Sequence, residues 1–184
     1  IKRNIKINWG LPNGVRIDKL DPDLLRLMKK AGCYQMSLGI ESGNQRILDM
    51  IKKRLDKNMV KGVVKEIKKA GIQTVGFFMI GFPTETEKEI KETINFAYSL
   101  DLDRAAFGKA TPLPGTALYD IWIEKYAKNQ NINWKTFNYN QFYADWSECT
   151  PKEIAKLQTY GFLKFYLTKF RFFKVLFSLK KSQV

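Results

Sequence analysis

Apolar residues recur in two rhythms along the first two thirds of the chain. Leu24, Leu27, Met28 and Ala31 follow i, i+3, i+4, i+7 spacing, the mark of a helix with one buried face. Asp21-Pro22-Asp23 ahead of them supplies an N-cap and a proline at the first helical position. Val60, Val63, Val64 and Ile67 repeat the helical spacing. Lys30-Ala31-Gly32 recurs as Lys69-Ala70-Gly71, 39 residues later, and each glycine sits where a helix ends in a left-handed residue. The runs that follow, Gln35 to Ile40 and Thr74 to Ile80, are short and almost wholly apolar. They predict strands buried on both faces, hence parallel. A third helix is predicted from Glu87 to Ser99, with Thr86 and Glu89 forming a capping box. Two more strands are predicted at Ile5 to Trp9 and Arg104 to Ala110.

The order is therefore β-α-β-α-β-α-β, parallel strands joined by right-handed crossovers. It belongs to an open doubly wound sheet or to part of a barrel, and the uniform repeat near 40 residues favours the barrel. Four strands cannot close one, so the barrel reading requires strands that this chain does not contain. The chain opens without methionine on a strand-like run, which predicts the middle of a longer protein. Residues 1–120 read as the barrel portion and residues 121–184 as an extension. In the extension, Tyr126 to Trp146 is rich in Asn, Gln and aromatics and predicts an irregular segment. Thr150-Pro151-Lys152-Glu153 then starts a last helix with a second capping box. Lys164, Thr168, Arg171, Lys174 and Ser178 fall on one face of it, Lys169 on the other, amid dense apolar and aromatic residues. This basic amphipathic design suits either docking on the protein's own barrel or on the missing domain, or peripheral contact with a membrane surface or another anionic partner.

Composition narrows the chemistry. With 45% hydrophobic residues the chain can build a packed core. Lys and Arg number 32 against 18 Asp and Glu, a net charge of +14 that attracts polyanions. Much of it is spread over helix faces as Lys-Lys pairs, so no specific nucleic acid is expected as a partner. A basic nucleic-acid- or membrane-binding module without catalysis is the alternative to an enzyme. The absence of histidine excludes a Ser–His–Asp triad, a histidine base and a His-ligated zinc within this chain. Two distant cysteines, Cys33 and Cys149, cannot ligate a metal cluster alone and fit a reducing, cytoplasmic setting. No apolar run reaches the roughly 20 residues of a membrane-spanning helix.

In parallel βα architectures ligands bind beyond the strands' carboxyl ends. The loops there read Gly39-Ile40-Glu41-Ser42-Gly43-Asn44, Gly81-Phe82-Pro83-Thr84-Glu85-Thr86 and Thr111-Pro112-Leu113-Pro114-Gly115-Thr116. Glu41, one step past a buried strand, must face solvent or a partner, because burying it unpaired is costly. It can accept hydrogen bonds from ligand hydroxyls or an ammonium, or it can simply pair with a lysine or cap the next helix. Gly81 and Pro83 shape a tight turn that either approaches a ligand or merely enters a capped helix.

Leu24-Leu25-Arg26-Leu27-Met28-Lys29-Lys30-Ala31-Gly32-Cys33 followed by Ser37-Leu38-Gly39-Ile40-Glu41-Ser42-Gly43 resembles the central stretch of radical S-adenosylmethionine (SAM) proteins. It is most similar to the branch with an upstream cobalamin-binding domain. Gly76 to Thr86 resembles that family's fifth-strand motif, and Thr111 to Thr116 the loop after its sixth strand; the likeness covers residues 12–120. The resemblance implies a partial (β/α)6 barrel that binds a 4Fe–4S cluster and SAM. Reductive cleavage of SAM to methionine and a 5′-deoxyadenosyl radical would then drive methyl transfer or oxidative ring formation. It implies SAM contacts at Glu41, with Ser42 and Gly43 beside it. A cation near the SAM carboxylate would come from Lys53 or Arg54 and from Arg16, and Phe77, Met79 and Gly81 would lie near the adenine. The family's three cluster cysteines lie after its first strand, and Cys33 and Cys149 do not match them. The resemblance thus makes this chain the second half of the barrel, with the N-terminal half as its missing partner, cobalamin as a possible further cofactor upstream, and the substrate unspecified.

Overall fold

The two helices that end in Lys-Ala-Gly close on Gly32 and Gly71, both in left-handed backbone, and a strand follows each glycine as the apolar runs require. The computed structural model describes residues 6–127, 134–136, 146–168 and 171–173. Four strands, β1 (Trp9–Val15), β2 (Cys33–Glu41), β3 (Gln73–Ile80) and β4 (Arg104–Lys109), pair in parallel in that spatial order. A doubly wound sheet would reverse its strand order at a switch point; the unbroken order is that of a barrel wall. The sheet is α/β and open, the wall of a partial TIM-like barrel, with a helical extension behind it.

The helices are α1 (Pro22–Lys30), α2 (Gln45–Met50), α3 (Lys57–Lys69), α4 (Glu87–Ser99), α5 (Ala117–Trp122) and α6 (Pro151–Leu167). Asp21 caps α1 by accepting from the Leu24 N–H at 2.8 Å. Thr86 with Glu89 and Thr150 with Glu153 form the two predicted capping boxes. Right-handed crossovers between neighbouring strands place every connecting helix on one face of the sheet. There Met36, Leu38, Ile40, Phe78, Ile80 and Phe107 bury against α1, α3, α4 and α6. The alternate residues Val75, Phe77, Met79 and Ala106 belong to the opposite face and are only half-buried.

The structure departs from expectation at the first strand. Ile7 is exposed, residues 1–5 lie outside the described residues, and β1 begins at Trp9. Its sequence, Trp-Gly-Leu-Pro-Asn-Gly-Val, carries no apolar run, because a strand with two register shifts against its neighbour accommodates Pro12 and glycine at the irregular positions. Trp9 anchors it, its indole N–H donating to the Ala31 carbonyl at 2.8 Å. The segment after β2 also forms two helices rather than one, α2 and α3, with Lys52 and Arg54 in left-handed backbone between them (φ 54° and 52°).

Most of the irregular segment predicted at Tyr126 to Trp146 lies outside the described residues. Its end is clamped onto the turn after β3: Trp146 Nε1–H donates to the Gly81 carbonyl (2.7 Å) and Thr84 N–H to the Trp146 carbonyl (2.8 Å). Glu85 completes this turn from inside. Its Oε2 accepts from the Gly81 and Phe82 N–H groups at 2.6 and 2.9 Å, while buried Oε1 has no hydrogen-bond partner. Burial pushes the Glu85 carboxyl up to about 7, against those two hydrogen bonds.

α6 packs on β4 and α4. The Tyr166 hydroxyl accepts from the Ala105 N–H (3.1 Å) and donates to the Ala105 carbonyl (2.9 Å); Gln158 Nε2–H donates to the Phe107 carbonyl (2.6 Å). Two residues of the predicted basic face, Lys164 and Arg171, bond to the fold, while Thr168 is exposed. Lys164 bonds Asn95, and buried Arg171 lies 4.1 Å over the Phe165 ring while donating to the Leu100 (2.7 Å) and Tyr98 carbonyls. Carbonyls at the C-terminal end of α4, its negative pole, hold the guanidinium better than solvent-facing residues would. Lys174 and Ser178 lie outside the described residues.

Two predictions follow from this packing. A Cβ on Gly43 would sit 2.4 Å from Phe96 Cβ and 2.9 Å from Thr93 Cα of α4. Gly43→Ala should destabilise the chain by about 1–3 kcal/mol in urea unfolding, the range for overpacking. Glu85 supplies a pH test. Its folded pKa of about 7 exceeds the ordinary 4.5, so the fold prefers the proton. The stability this contributes is complete below the unfolded value and is lost as pH rises from 4.5 towards 7, by on the order of 3 kcal/mol. Glu85→Gln keeps the acceptor without the charge. Urea titrations should therefore show the variant gaining on wild type as pH rises from about 5 to about 8.

Candidate functional site

The half-buried sheet face opens into a cleft of about 580 Å³. Asn13 and Gly14 of β1, Gly39 and Glu41 of β2, Phe77 and Met79 of β3, and Ala106 and Gly108 of β4 line it. β1 and β2 meet at two glycines: a Cβ on Gly14 would lie 3.0 Å from the Gly39 backbone. A Cβ on Gly39 would lie 3.1 Å from Glu41 Oε1 and 3.2 Å from Lys53 Nζ, so the bare backbone keeps this corner open for a charged pair.

Glu41 is not beyond the strand, as the sequence reading had it, but is the last residue of β2. It occupies a register shift against β3 and has left-handed backbone (φ 68°). Such backbone costs a β-strand residue of order 1 kcal/mol or more and persists only where its surroundings hold it. Its Oε1 accepts from Lys53 Nζ at 2.9 Å, and both side chains remain about a quarter exposed (25% and 28%). Lys53 reaches it because Lys52 and Arg54 on either side are left-handed, and its own N–H bonds the Leu48 carbonyl (2.9 Å). Carboxylate and ammonium thus stand together at one end of an apolar floor.

The remaining candidates separate. Phe77 and Met79 line the cleft with Glu41. Neither Lys53 nor Arg54 lines it: Lys53 reaches its edge only through the bond to Glu41, and Arg54 is exposed beside Lys53. Arg16 is turned to Asp18, with two hydrogen bonds at 3.0 and 2.7 Å that raise its pKa and lower that of Asp18. Ser42 and Gly43 face α4: the Ser42 hydroxyl lies 2.9 Å from Thr93 Oγ1, which also accepts from the Gly43 N–H (3.0 Å). They brace the loop rather than line the cleft. Gly81 turns with φ 79° beneath Ile154, its N–H on Glu85 and its carbonyl on Trp146. A second brace stiffens the same rim. Arg46 forks onto Glu89 with two bonds of 2.6 Å, which hold that carboxyl down to about 2.

Sequence reasoning missed Asn13, Gly14, Gly39, Ala106 and Gly108. The signal was available for the glycines, since glycine inside a strand pattern marks close backbone approach. Asn13 was hidden with β1 itself.

Comparison with known proteins agrees with the fold. The sequence model of the radical SAM superfamily matches residues 2–97, over half of the chain. An uncharacterized methyltransferase of Pyrococcus horikoshii is 34% identical over 168 residues, covering 90% of this chain and 36% of that protein. The anaerobic magnesium-protoporphyrin IX monomethyl ester cyclase of Rubrivivax gelatinosus is 34% identical over 119 residues, 65% of this chain and 21% of the enzyme. Among solved structures, the radical SAM methyltransferase TsrM of Kitasatospora setae, with cobalamin and a 4Fe–4S cluster bound, superposes with a TM-score of 0.57. It is 19% identical, covering 64% of this chain and 23% of TsrM. The chain thus spans about a third or less of the length of these relatives. A family match over residues 2–97, laid on a parallel barrel wall with its cleft at the strand ends, establishes that the chain belongs to the radical SAM superfamily.

Proposed function

We propose that this chain supplies part of the SAM site of a radical SAM iron–sulfur enzyme that carries out methyl transfer or oxidative ring formation. The observation that carries the reading is the Glu41 carboxylate lining the open sheet face, with Lys53 bonded to it at the edge. SAM presents an α-ammonium, an α-carboxylate, a ribose diol and a flat adenine. Glu41 can accept from the ammonium or the diol, Lys53 can face the carboxylate, and Phe77 and Met79 offer an apolar wall to the base. The donor set fits SAM. When reduced through a 4Fe–4S cluster, SAM supplies the radical chemistry.

The cluster does not fit these residues. Cys33 and Cys149 are both buried in the core, and no group of three His, Cys, Asp or Glu among the described residues could hold a metal ion. In this reading the cluster thiolates belong to the other part of the barrel. Cobalamin enters the proposal through the similarity to TsrM, which holds it, and methyl transfer is favoured by the methyltransferase relative; the cyclase relative supports ring formation. Two free buried thiols suit a cytoplasmic protein. The substrate itself is not read from this chain.

Magnitudes separate a ligand role for Glu41 from a merely structural one. A pair this exposed contributes roughly 0–1 kcal/mol to folding, whereas a charged hydrogen bond to a ligand contributes about 1.5–3 kcal/mol. In the cluster-loaded full-length protein, Glu41→Ala should bind SAM about 10- to 100-fold more weakly by isothermal titration, with the melting temperature nearly unchanged. Glu41→Gln should lose less, because its amide oxygen still accepts. Unchanged affinity with depressed melting would make the pair a structural brace. Anaerobic iron and sulfide reconstitution of this chain alone should give no stable 4Fe–4S cluster, read as no broad visible absorption band.

A further inference from the structure

We infer that the outward face of α6, together with Phe172 and Phe173 beyond it, docks peripherally on an anionic lipid surface. The inference is independent of the SAM reading, and the superfamily match ends at residue 97, well short of this helix.

α6 is pinned to the fold by one stripe, Ile154, Leu157, Gly161 and Phe165, all buried. At 100° per residue the opposite stripe carries Lys152, Lys156, Tyr160, Leu163 and Leu167, all exposed. Leu163 is 51% exposed and Leu167 56%, and beyond them Phe172 and Phe173 are as open, at 49% and 52%. Leu163 and Leu167, on a helix whose other side is already satisfied, and Phe172 just beyond it, each about half-exposed, form a contact surface rather than scattered exposure.

Charge identifies what the surface meets. Residues 150–184 carry eight Lys and Arg against one acid, Glu153, a net +7 that is half of the chain's +14. Inward-turned Lys164 and Arg171 are used by the fold, but Lys152 and Lys156 share the outward stripe with the leucines. The remaining sequence, Lys174-Val175-Leu176-Phe177-Ser178-Leu179-Lys180-Lys181, repeats the same mixture of apolar and basic residues. Lysines that reach headgroups while leucine and phenylalanine sink to the acyl boundary are the chemistry of an interfacial segment. A second copy of the chain would set like charge against like. A nucleic acid would leave the leucines without a partner. Among the described residues no helix is long and apolar enough to cross a membrane, so the contact is peripheral.

The chain is sedimented with vesicles of phosphatidylcholine containing about 30% phosphatidylserine, with phosphatidylcholine vesicles alone, and with single-stranded RNA as a competitor. Wild type should bind the anionic vesicles, bind the neutral ones far less, and release as salt rises from about 0.1 to about 0.5 M. The Leu163→Asp/Leu167→Asp variant, altered only at exposed positions, should bind at least about tenfold more weakly, with an unchanged melting temperature. Anionic-vesicle binding that is absent, or equal in wild type and variant, overturns the inference. So does preferential capture by RNA. Lipid-free dimerisation that the variant abolishes would assign the face to a second copy and equally overturn it.

Discussion

A right-handed crossover between adjacent parallel strands can cover only one face of a sheet, and everything else in this molecule depends on that constraint. Because β1 to β4 follow one another without a switch in order, all the connecting helices fall on the same side. One face becomes a dry core of Met36, Leu38, Phe78 and Phe107. The other keeps Phe77, Met79 and Ala106 half-open beside the strand ends. The cleft is thus a result of topology first, with individual side chains only decorating it.

The decoration is held by backbone that the helices and strands themselves would not choose. The non-glycine residues with left-handed φ among the described residues are Glu41 at the end of β2, Lys52 and Arg54 between α2 and α3, and Thr84 between β3 and α4. Strain of this kind survives where neighbours over-determine it. Here the neighbours are visible: Thr93 beneath Ser42 and Gly43, Arg46 forked onto Glu89, and Glu85 bonded to two amides of the Gly81 turn. The bracing residues far outnumber the cleft's charged groups. This is why Ser42, Gly43 and Gly81 share the motif without touching the cleft.

The repeat of Lys-Ala-Gly, the helix periods and the capping boxes made the fold class and three of the four strands readable from sequence, since each reflects a local rule. β1 escaped because its register against β2 is broken twice, and such irregular positions take Pro12 and glycine in place of an apolar run. The Glu41–Lys53 contact was only half legible. The carboxylate could be singled out by position, pairing with a lysine was one of its open alternatives, and Lys53 was named through the family resemblance; that these two meet depends on two left-handed residues in a chain without glycine there. Arg16 failed as a cleft residue for a simpler reason. Asp18 lies two residues away and offers a local partner that any long-range one must outcompete. The orientation of the last helix was likewise decided by packing, with Arg171 drawn under α4 and away from water.

Tyr166 and Gln158 have an effect beyond securing α6. Their side chains occupy the outward N–H and C=O of Ala105 and the C=O of Phe107, the groups along β4 that another strand would need. That border of the sheet is sealed by side chains instead of by a neighbour, while β1 carries no such seal among the described residues. Growth of the sheet is therefore one-directional: strands that extend this wall must join at β1. The extension that looked like an appendage to the barrel acts as its stop.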